Sequence, residues 1–235
     1  MEVTRRLFIG MAGAAILGSA ALTLSACGAP RGAEQPSGAG ATAGASAEPT
    51  GSTGVASEGP SPATVPAGTD AIVVYFSRAG ENYGVGYVEE GNTAVVAKMV
   101  AEATGAGMFE VAPAKAYPEG YDECCNVALA EKNGGARPAI AKDVDIAPYK
   151  TVYLGYPIWW GDVPMCVYTF LETHDWTGKT IRPFCTHAGS GLAGTAGSVA
   201  SACPGADVAQ GLAITGTTAQ NSRDQAREEV RGWLA

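Results

Sequence analysis

The sequence lacks the residue patterns that mark several common enzyme classes. It contains two histidines in 235 residues, His174 and His187, and they are too far apart in sequence to show metal-ligand spacing. No C-x-x-C pair and no G-x-S-x-G segment occurs. The sequence therefore predicts no metal centre, no thioredoxin-like catalysis and no serine hydrolase.

Charge is also scarce, and its distribution excludes one class of partner. Only 16% of the residues are charged, and residues 70–235 hold 12 basic and 19 acidic ones, a net charge of −7. These residues contain no block of basic side chains of the kind that neutralises phosphates. We therefore expect no nucleic acid as a partner, and favour a basic partner protein or a neutral small molecule.

The first 27 residues have the pattern of an export signal. Arg5 and Arg6 form a twin-arginine start, a modestly apolar run follows over residues 7–24, and small residues precede Cys27. This pattern resembles a bacterial lipoprotein signal, which implies that Cys27 becomes the lipidated first residue of the mature protein. An uncleaved membrane helix is the alternative, since the apolar run is just long enough to span a bilayer.

The composition of residues 28–69 predicts a disordered tether between this signal and a folded domain. Of these 42 residues, 35 are Ala, Gly, Pro, Ser or Thr, and they bury too little apolar surface to offset the entropy of ordering. As a flexible coil, the tether would separate its ends by roughly 35 Å. Residues 70–235 are long enough for one hydrophobic core, so we expect a single domain there.

Within residues 70–235, short apolar runs alternate with segments of helical periodicity. The apolar runs predict buried strands at residues 71–76, 108–111, 151–155, 180–185 and 208–215. The periodic segments predict helices at residues 92–104, 122–132, 164–172 and 222–234, with a further helix ending near residue 202. Strands that alternate with helices in this way predict an open parallel α/β sheet.

Three loops at the carboxyl ends of these strands carry informative residues, and ligands bind at that edge of such sheets. The loops are Ser77-Arg78-Ala79-Gly80, Tyr-Pro-Ile-Trp-Trp-Gly at 156–161, and Thr-His-Ala-Gly-Ser-Gly at 186–191. Asn92 and Thr93 complete the first loop once residues 81–91 are treated as an insertion. With these loops, the chain from about residue 72 to residue 234 resembles the flavodoxin-like family, nearest its long-loop bacterial branch.

The resemblance implies both a fold and a cofactor. The implied fold has three layers, with an open sheet of five parallel strands in the order 2-1-3-4-5 and helices on both faces. The implied cofactor is FMN, held by the three loops. The residues implied as FMN ligands are Ser77, Arg78, Ala79, Asn92, Thr93, Pro157, Ile158, Trp159, Trp160, Gly161, Thr186, His187, Gly189, Ser190 and Gly191.

A phosphate at the first loop also agrees with elementary chemistry. The free amides and the dipole of a helix N-terminus attract anions, and a helix is predicted to begin at Asn92. Ser77 and Thr93 add hydroxyl donors, and Asn92 either caps the helix or donates its amide. Ala79 departs from the family pattern, which has a hydroxyl there. Ordinary capping residues at a strand–helix junction are the alternative interpretation.

The aromatic residues of the second loop and of the insertion are the candidates for ring contacts. Trp159 and Trp160 are adjacent, so their side chains face opposite ways on an extended segment. We predict that Trp160 lies nearer the flavin and that the Trp159 indole packs toward the core. The alternative is that both tryptophans pack in the core or in an interface. In the insertion, Tyr83 or Tyr87 is predicted to close over the flavin as a lid, unless this segment is a solvated loop.

The third loop matches a second, misleading pattern. Residues 189–194 read as a dinucleotide fingerprint, but no acidic residue ends the next strand, as the ribose hydroxyls would require. We therefore expect backbone donors of this loop to face the pyrimidine edge of the flavin. His187 either tunes the flavin or bonds to a backbone carbonyl. The cysteines after Cys27 are free packing thiols or form disulfides with at least one left over: Cys124, Cys125, Cys166, Cys185 and Cys203.

These observations predict an FMN-binding electron-transfer protein or small oxidoreductase that is exported and anchored by lipid to the outer face of the cell membrane. Its expected partner is a redox protein, or a small quinone or nicotinamide substrate. A flavodoxin-fold lipoprotein that has lost FMN and binds another ligand or partner is the alternative. The colour of the purified protein discriminates the two, because only the first is yellow.

Overall fold

The structure, a computed structural model, describes residues 69–235. The predicted signal segment, the lipidation site at Cys27 and the tether lie outside the described residues, apart from the last residue of the tether. None of the helices within residues 69–235 combines the length and the apolar character that a bilayer-spanning helix needs.

Strands and helices alternate along the chain as predicted, except at the hairpin of strands that follows the first strand, at the broken last strand and at the two closing helices. The strands are β1 (Ala71–Tyr75), β2 (Gly80–Asn82), β3 (Gly86–Val88), β4 (Gly107–Glu110), β5 (Thr151–Pro157), β6 (Thr180–His187), β7 (Asp207–Val208) and β8 (Leu212–Thr215). The helices are α1 (Asn92–Thr104), α2 (Tyr121–Gly134), α3 (Met165–Glu172), α4 (Thr195–Ala202), α5 (Gly216–Asn221) and α6 (Arg223–Leu234).

The main sheet confirms the predicted fold class. Its strand order is β4-β1-β5-β6, with β7 and β8 both paired to β6, and all of these pairs are parallel. With β7 and β8 counted as one interrupted strand, this is the order 2-1-3-4-5. The chain leaves β1 for β4 on one side and returns to β5 on the other, so the strand order reverses beside β1. The crevice beyond the carboxyl end of β1 is therefore the expected ligand site.

Successive side chains along β1 point to opposite faces of the sheet, and each face packs in its own hydrophobic core. Ile72, Val74 and Phe76 face the core on the α3 and α4 side, whereas Val73 and Tyr75 face the core shared with α1 and α6. All five side chains are at least nine-tenths buried. A strand buried on both faces requires a continuous apolar run, which is why this run was the clearest strand signal in the sequence.

Three parts of the fold differ from the expected elements, and one of them is the short helix α5, which precedes the predicted closing helix. The fifth strand was predicted to be continuous, but it is interrupted between β7 and β8, which pair with opposite ends of β6. The insertion is not an irregular loop: β2 and β3 form an antiparallel hairpin with Gly80 opposite Val88. Three glycines in eleven residues masked the alternation that predicts such a hairpin.

Candidate functional site

A cavity of about 680 Å³ opens at the carboxyl ends of β1, β5 and β6. This volume lies within the range of small-molecule and cofactor sites. Its lining residues come from all three predicted loops, from the β2–β3 hairpin, from α2 and from the first residue of α5. They are Arg78, Asn82, Tyr83, Asn92, Tyr121, Asp122, Cys124, Cys125, Asn126, Ala128, Pro157, Ile158, Trp159, Trp160, Thr186, His187, Ala188 and Gly216.

The N-terminus of α1 is held tightly against the end of β1. The hydroxyl oxygen of Ser77 accepts a hydrogen bond from the backbone N–H of Ala94 at 3.0 Å, so Ser77 caps the first turn of α1. The backbone of Gly91 passes so close that a Cβ there would lie 2.3 Å from the Ser77 hydroxyl oxygen and 2.4 Å from the Arg78 carbonyl oxygen. Only glycine permits this approach, which brings the helix N-terminus to the edge of the cavity.

Asn92 and Thr93 begin α1 but have different surroundings. The Thr93 hydroxyl is buried and lies 2.7 Å from the Thr186 hydroxyl, so it joins the first and third loops beneath the cavity. The Asn92 side chain lines the cavity, and its Oδ1 accepts a hydrogen bond from the Gln220 amide at 3.0 Å. This bond directs the acceptor atom of Asn92 toward α5, and it leaves the Asn92 amide group as a donor at the site.

Arg78 organises the entrance of the cavity. Its guanidinium group donates hydrogen bonds to the carbonyl oxygens of Pro118 at 2.8 Å, Glu119 at 2.9 Å and Glu81. It therefore ties β2 to the segment that precedes α2. Arg78 was predicted as an FMN ligand, but these three carbonyl oxygens already engage it, so its first role is to hold the hairpin in place.

The third loop folds around His187. The His187 Nδ1 accepts hydrogen bonds from the backbone N–H groups of Gly189 at 2.9 Å and Gly191 at 3.1 Å. Because Nδ1 is an acceptor, the neutral ring carries its proton on Nε2. Burial lowers the pKa of His187, which favours this neutral form. One of the two roles predicted for His187 was a hydrogen bond to a backbone carbonyl oxygen. Its Nδ1 instead accepts from two backbone amides.

The two tryptophans lie in opposite environments, as predicted. Trp159 packs edge-on against Phe76, with ring centroids 5.2 Å apart, and against Tyr117, with centroids 4.8 Å apart. Trp160 is 51% exposed at the cavity mouth, where its indole N–H donates to the Cys125 carbonyl oxygen at 2.9 Å. Both indoles line the cavity. The inner ring is thus anchored in an aromatic cluster and the outer ring is presented at the surface.

A tight turn sets the direction of Trp160. Trp159 and Asp162 exchange two backbone hydrogen bonds of 3.0 Å, and the two residues between them have φ values of +51° at Trp160 and +72° at Gly161. This pair of positive φ values matches a two-residue type I′ hairpin turn. A non-glycine residue there costs about 1–2 kcal/mol. The Lys132 ammonium group donates to the Trp160 carbonyl oxygen at 2.6 Å, which helps to hold the turn against α2.

One wall of the cavity was absent from the sequence-based prediction. The helix itself was predicted, but α2 also contributes Tyr121, Asp122, Cys124, Cys125 and Ala128 to the lining. Nothing in a single sequence indicates which helix packs across a strand-end loop, because that contact joins residues more than 30 positions apart. The hairpin adds Asn82 and Tyr83, so of the two tyrosines predicted as a lid, Tyr83 lines the cavity and Tyr87 does not.

All five cysteines of the described residues are free, and four of them are buried: Cys124, Cys166, Cys185 and Cys203. Burial raises the pKa of Cys124 to about 11 and that of Cys185 to about 12. Thiols with such pKa values stay protonated at neutral pH and are poor nucleophiles. The packing interpretation of these four thiols therefore agrees with the structure.

Eight of the fifteen predicted ligands line the cavity: Arg78, Asn92, Pro157, Ile158, Trp159, Trp160, Thr186 and His187. The other seven lie beside it: Ser77, Ala79, Thr93, Gly161, Gly189, Ser190 and Gly191. In the third loop, the amides of Gly189 and Gly191 donate to His187, so the expectation that they face a flavin edge does not hold in this conformation. Ala188 is the member of that loop that replaces them in the lining.

The fold has counterparts among solved structures. A flavoprotein from Bacteroides eggerthii is 27% identical, with a TM-score of 0.55 over 70% of this chain and 98% of that chain. A flavoprotein from Bacteroides uniformis is 28% identical, with a TM-score of 0.53 over 68% and 97%. A flavoprotein from Lactobacillus acidophilus, solved in complex with FMN, is 19% identical, with a TM-score of 0.50 over 70% and 98%. No curated protein matches the chain.

The match to a protein family covers almost the whole described domain. The family model is described as Flavodoxin, and it matches residues 72–232, which is more than half of the chain. The matched residues begin in β1 and end in α6, and so include the strand-end loops that line the cavity. By this match, and by its parallel sheet with the order 2-1-3-4-5, the chain belongs to the flavodoxin family.

Proposed function

We propose that this protein binds FMN in the cavity at the carboxyl ends of β1, β5 and β6, and that it is an electron-transfer protein or a small oxidoreductase. The observation that carries the proposal is the composition of this cavity: a helix N-terminus at one side and two tryptophan side chains at another. A phosphate suits the first and a planar ring suits the second. The FMN complex of the Lactobacillus acidophilus flavoprotein, which has the same fold, supports this choice of cofactor.

The residues at the helix N-terminus fit the phosphate of FMN. Gly91 lacks the Cβ that would push α1 away from the end of β1, and the Asn92 amide group stands at the opening. The free N–H groups of the first turn and the helix dipole add attraction for an anion. The hydroxyls of Ser77 and Thr93 act indirectly, because each holds the backbone of the loop instead of lining the cavity.

The second and third loops fit the ring system. When bound, FMN would supply the redox chemistry, accepting and donating one or two electrons. Trp159, Trp160 and Ile158 would hold the ring, and His187 would present a neutral imidazole beside Thr186. The net charge of −7 of residues 70–235 opposes added negative charge in the cavity, so we expect it to lower the reduction potential of the bound cofactor.

A second function is favoured by one observation, the engagement of the Gly189 and Gly191 amides by His187. A loop whose amides bond to its own side chain offers fewer donors to a flavin. That arrangement suits a flavodoxin-fold binding module without FMN, as does Ala79 in place of a hydroxyl. The absorption spectrum of the purified full chain separates the two functions.

Titration with FMN and with riboflavin tests the proposal directly. We expect the full chain to bind FMN with the visible absorption of a flavin, and to bind riboflavin roughly 10²- to 10⁴-fold more weakly. The reason is that riboflavin lacks the phosphate, and about two charge-assisted hydrogen bonds to it contribute about 1.5–3 kcal/mol each. Quenching of flavin fluorescence measures both affinities. A colourless protein that ignores added FMN would establish the binding module instead.

The location of the protein is part of the proposal. We propose that it is exported through a twin-arginine signal and held at the outer face of the cell membrane by lipid on Cys27. In Cys27→Ala, which keeps the rest of the signal, we expect the protein to move from the membrane to the soluble fraction, because one lipidated residue carries the attachment. Immunoblots of the two fractions measure it. Equal membrane association of Cys27→Ala would favour the uncleaved membrane helix over residues 7–24.

A further inference from the structure

Exposed aromatic surface is concentrated at the mouth of the cavity. Five large hydrophobic side chains are exposed within residues 69–235, and three of them line this cavity. We call these three the aromatic rim: Tyr83, Tyr121 and Trp160, which are 65%, 38% and 51% exposed. The rings of Tyr83 and Tyr121 have centroids 6.1 Å apart and are tilted by 43°. Aromatic rings gathered at the mouth of one cavity are typical of a binding surface.

The aromatic rim is formed by segments that are bonded to one another. The backbone N–H of Tyr121 donates to the Glu81 carboxylate at 3.2 Å, which joins the start of α2 to β2. The backbone N–H of Glu81 donates to the Glu119 carbonyl oxygen at 2.9 Å, beside the contacts of Arg78. The indole N–H of Trp160 bonds to α2 through the Cys125 carbonyl oxygen. A site assembled in advance loses less entropy when it binds a ligand.

The charges near the aromatic rim disfavour an anionic ligand. Among the described residues that line the cavity, the charged ones are Arg78 and Asp122. The guanidinium group of Arg78 is engaged by three backbone carbonyl oxygens, whereas the Asp122 side chain is exposed. Glu81 and Glu123, both exposed, add negative charge beside the rim. The Lys132 ammonium group at the Trp160 carbonyl oxygen adds one positive charge, which Asp162 balances at 3.8 Å, so the surroundings stay acidic. A nicotinamide dinucleotide would bring a pyrophosphate to this acidic surface, and a neutral ligand would avoid that repulsion.

The geometry points to a substrate site for small neutral quinones at the aromatic rim, where the quinone takes electrons from reduced FMN. This inference rests on the proposed function, since it places the quinone beside the cofactor. The quinone gains two electrons and two protons, and its two carbonyl oxygens become the two hydroxyls of a hydroquinone. The same two electrons and two protons leave reduced FMN, which returns to its oxidised form. A redox partner protein supplies the electrons that reduce FMN again.

Binding without turnover is the first part of the test. The FMN-loaded full chain in its oxidised form is titrated with 2-methyl-1,4-naphthoquinone, which is also oxidised, so no electron transfer takes place. We expect saturable quenching of tyrosine and tryptophan fluorescence. The double variant Tyr83→Ala with Tyr121→Ala should raise the dissociation constant at least tenfold. Tyr87→Ala is the matched control in the same hairpin, and it should stay within twofold because Tyr87 does not line the cavity.

Turnover and cofactor affinity complete the test. After stoichiometric reduction by dithionite, single-turnover stopped-flow mixing with the quinone follows the reoxidation of FMN. In the double variant, the quinone concentration that gives half of the limiting rate should rise at least tenfold, and the limiting rate itself should stay within threefold. The affinity for FMN is measured separately in the same variant, and the quinone titration is run on the fully FMN-loaded protein, so that a loss of quinone binding is separated from a loss of cofactor. NADH and NADPH should reduce the oxidised, FMN-loaded protein no faster than they reduce free FMN in the same buffer.

The outcomes are distinguishable. A wild-type chain that does not bind FMN would overturn the proposed function, and this inference with it. A chain that binds FMN but shows no saturable quinone binding would overturn the inference alone. Quinone binding that is equal in the wild type and the double variant would also overturn it, because the aromatic rim would then not be the site. Rapid saturable reduction by NADH or NADPH would overturn the exclusion of anionic dinucleotides.

Discussion

Replacing Gly91 by alanine is expected to weaken FMN binding by roughly 10²- to 10⁴-fold, the loss of about two charge-assisted phosphate bonds. The added Cβ would lie 2.3 Å from the Ser77 hydroxyl oxygen and 2.4 Å from the Arg78 carbonyl oxygen. Because one of these atoms belongs to the backbone, the N-terminus of α1 must move away from β1. The phosphate would then lose donors that the helix places at the cavity. Fluorescence titration with FMN measures the change.

Riboflavin and a second glycine provide the controls for Gly91→Ala. The affinity for riboflavin should fall much less, since the displaced donors serve the phosphate. Gly232→Ala adds a methyl group in α6 where no atom from outside the helix's own backbone lies within 4 Å, so FMN binding should be unchanged. Its helix should gain about 0.5–1 kcal/mol. If Gly91→Ala weakens FMN and riboflavin equally, the phosphate does not bind at α1.

Replacing Trp176 by alanine is expected to lower the free energy of unfolding by about 3–5 kcal/mol. Trp176 is 1% exposed, and its indole N–H donates to the Leu171 carbonyl oxygen at 2.7 Å. Its ring packs against Phe170, with centroids 6.2 Å apart. The variant leaves a large cavity and an unpaired carbonyl oxygen in the core. Urea denaturation followed by circular dichroism measures the loss, which is a large part of a typical domain stability.

Two further variants, and a titration with FMN, show what causes the loss of stability in Trp176→Ala. Trp176→Phe keeps an aromatic ring but removes the indole donor, so it should cost less than the alanine variant. Trp233→Ala removes a partly buried indole from α6, and it should also cost less. Trp176 precedes β6 and lies at the end of that strand away from the cavity, so the FMN affinity of the folded Trp176→Ala protein should equal that of the wild type. Weaker FMN binding in that folded variant would show that the core and the site are coupled.

The sequence by itself determined the fold class and the edge of the sheet at which the cavity opens. Local signals sufficed for this: a continuous apolar run at β1, helical periodicity over α1, and strand-end loops rich in Gly, Ser and Trp. Parallel strands bring their carboxyl ends to one edge, so the three loops meet whatever the details of packing. Trp159 and Trp160 were also predicted to lie in opposite environments, and they do, although the turn with a φ of +51° at Trp160, and not an extended segment, separates them.

Only the tertiary structure decided which groups face the cavity. The Ser77 hydroxyl caps Ala94, the Thr93 hydroxyl meets Thr186 across 93 positions, and the loop amides turn to His187. A single sequence shows that a donor exists, but its partner is set by long-range packing. Long-range packing is also why the sequence did not predict that α2 and the hairpin bearing Tyr83 line the cavity. Their places depend on hydrogen bonds between segments some 40 residues apart, such as those that Arg78 makes to residues 118 and 119, and such contacts leave no periodic pattern in the chain.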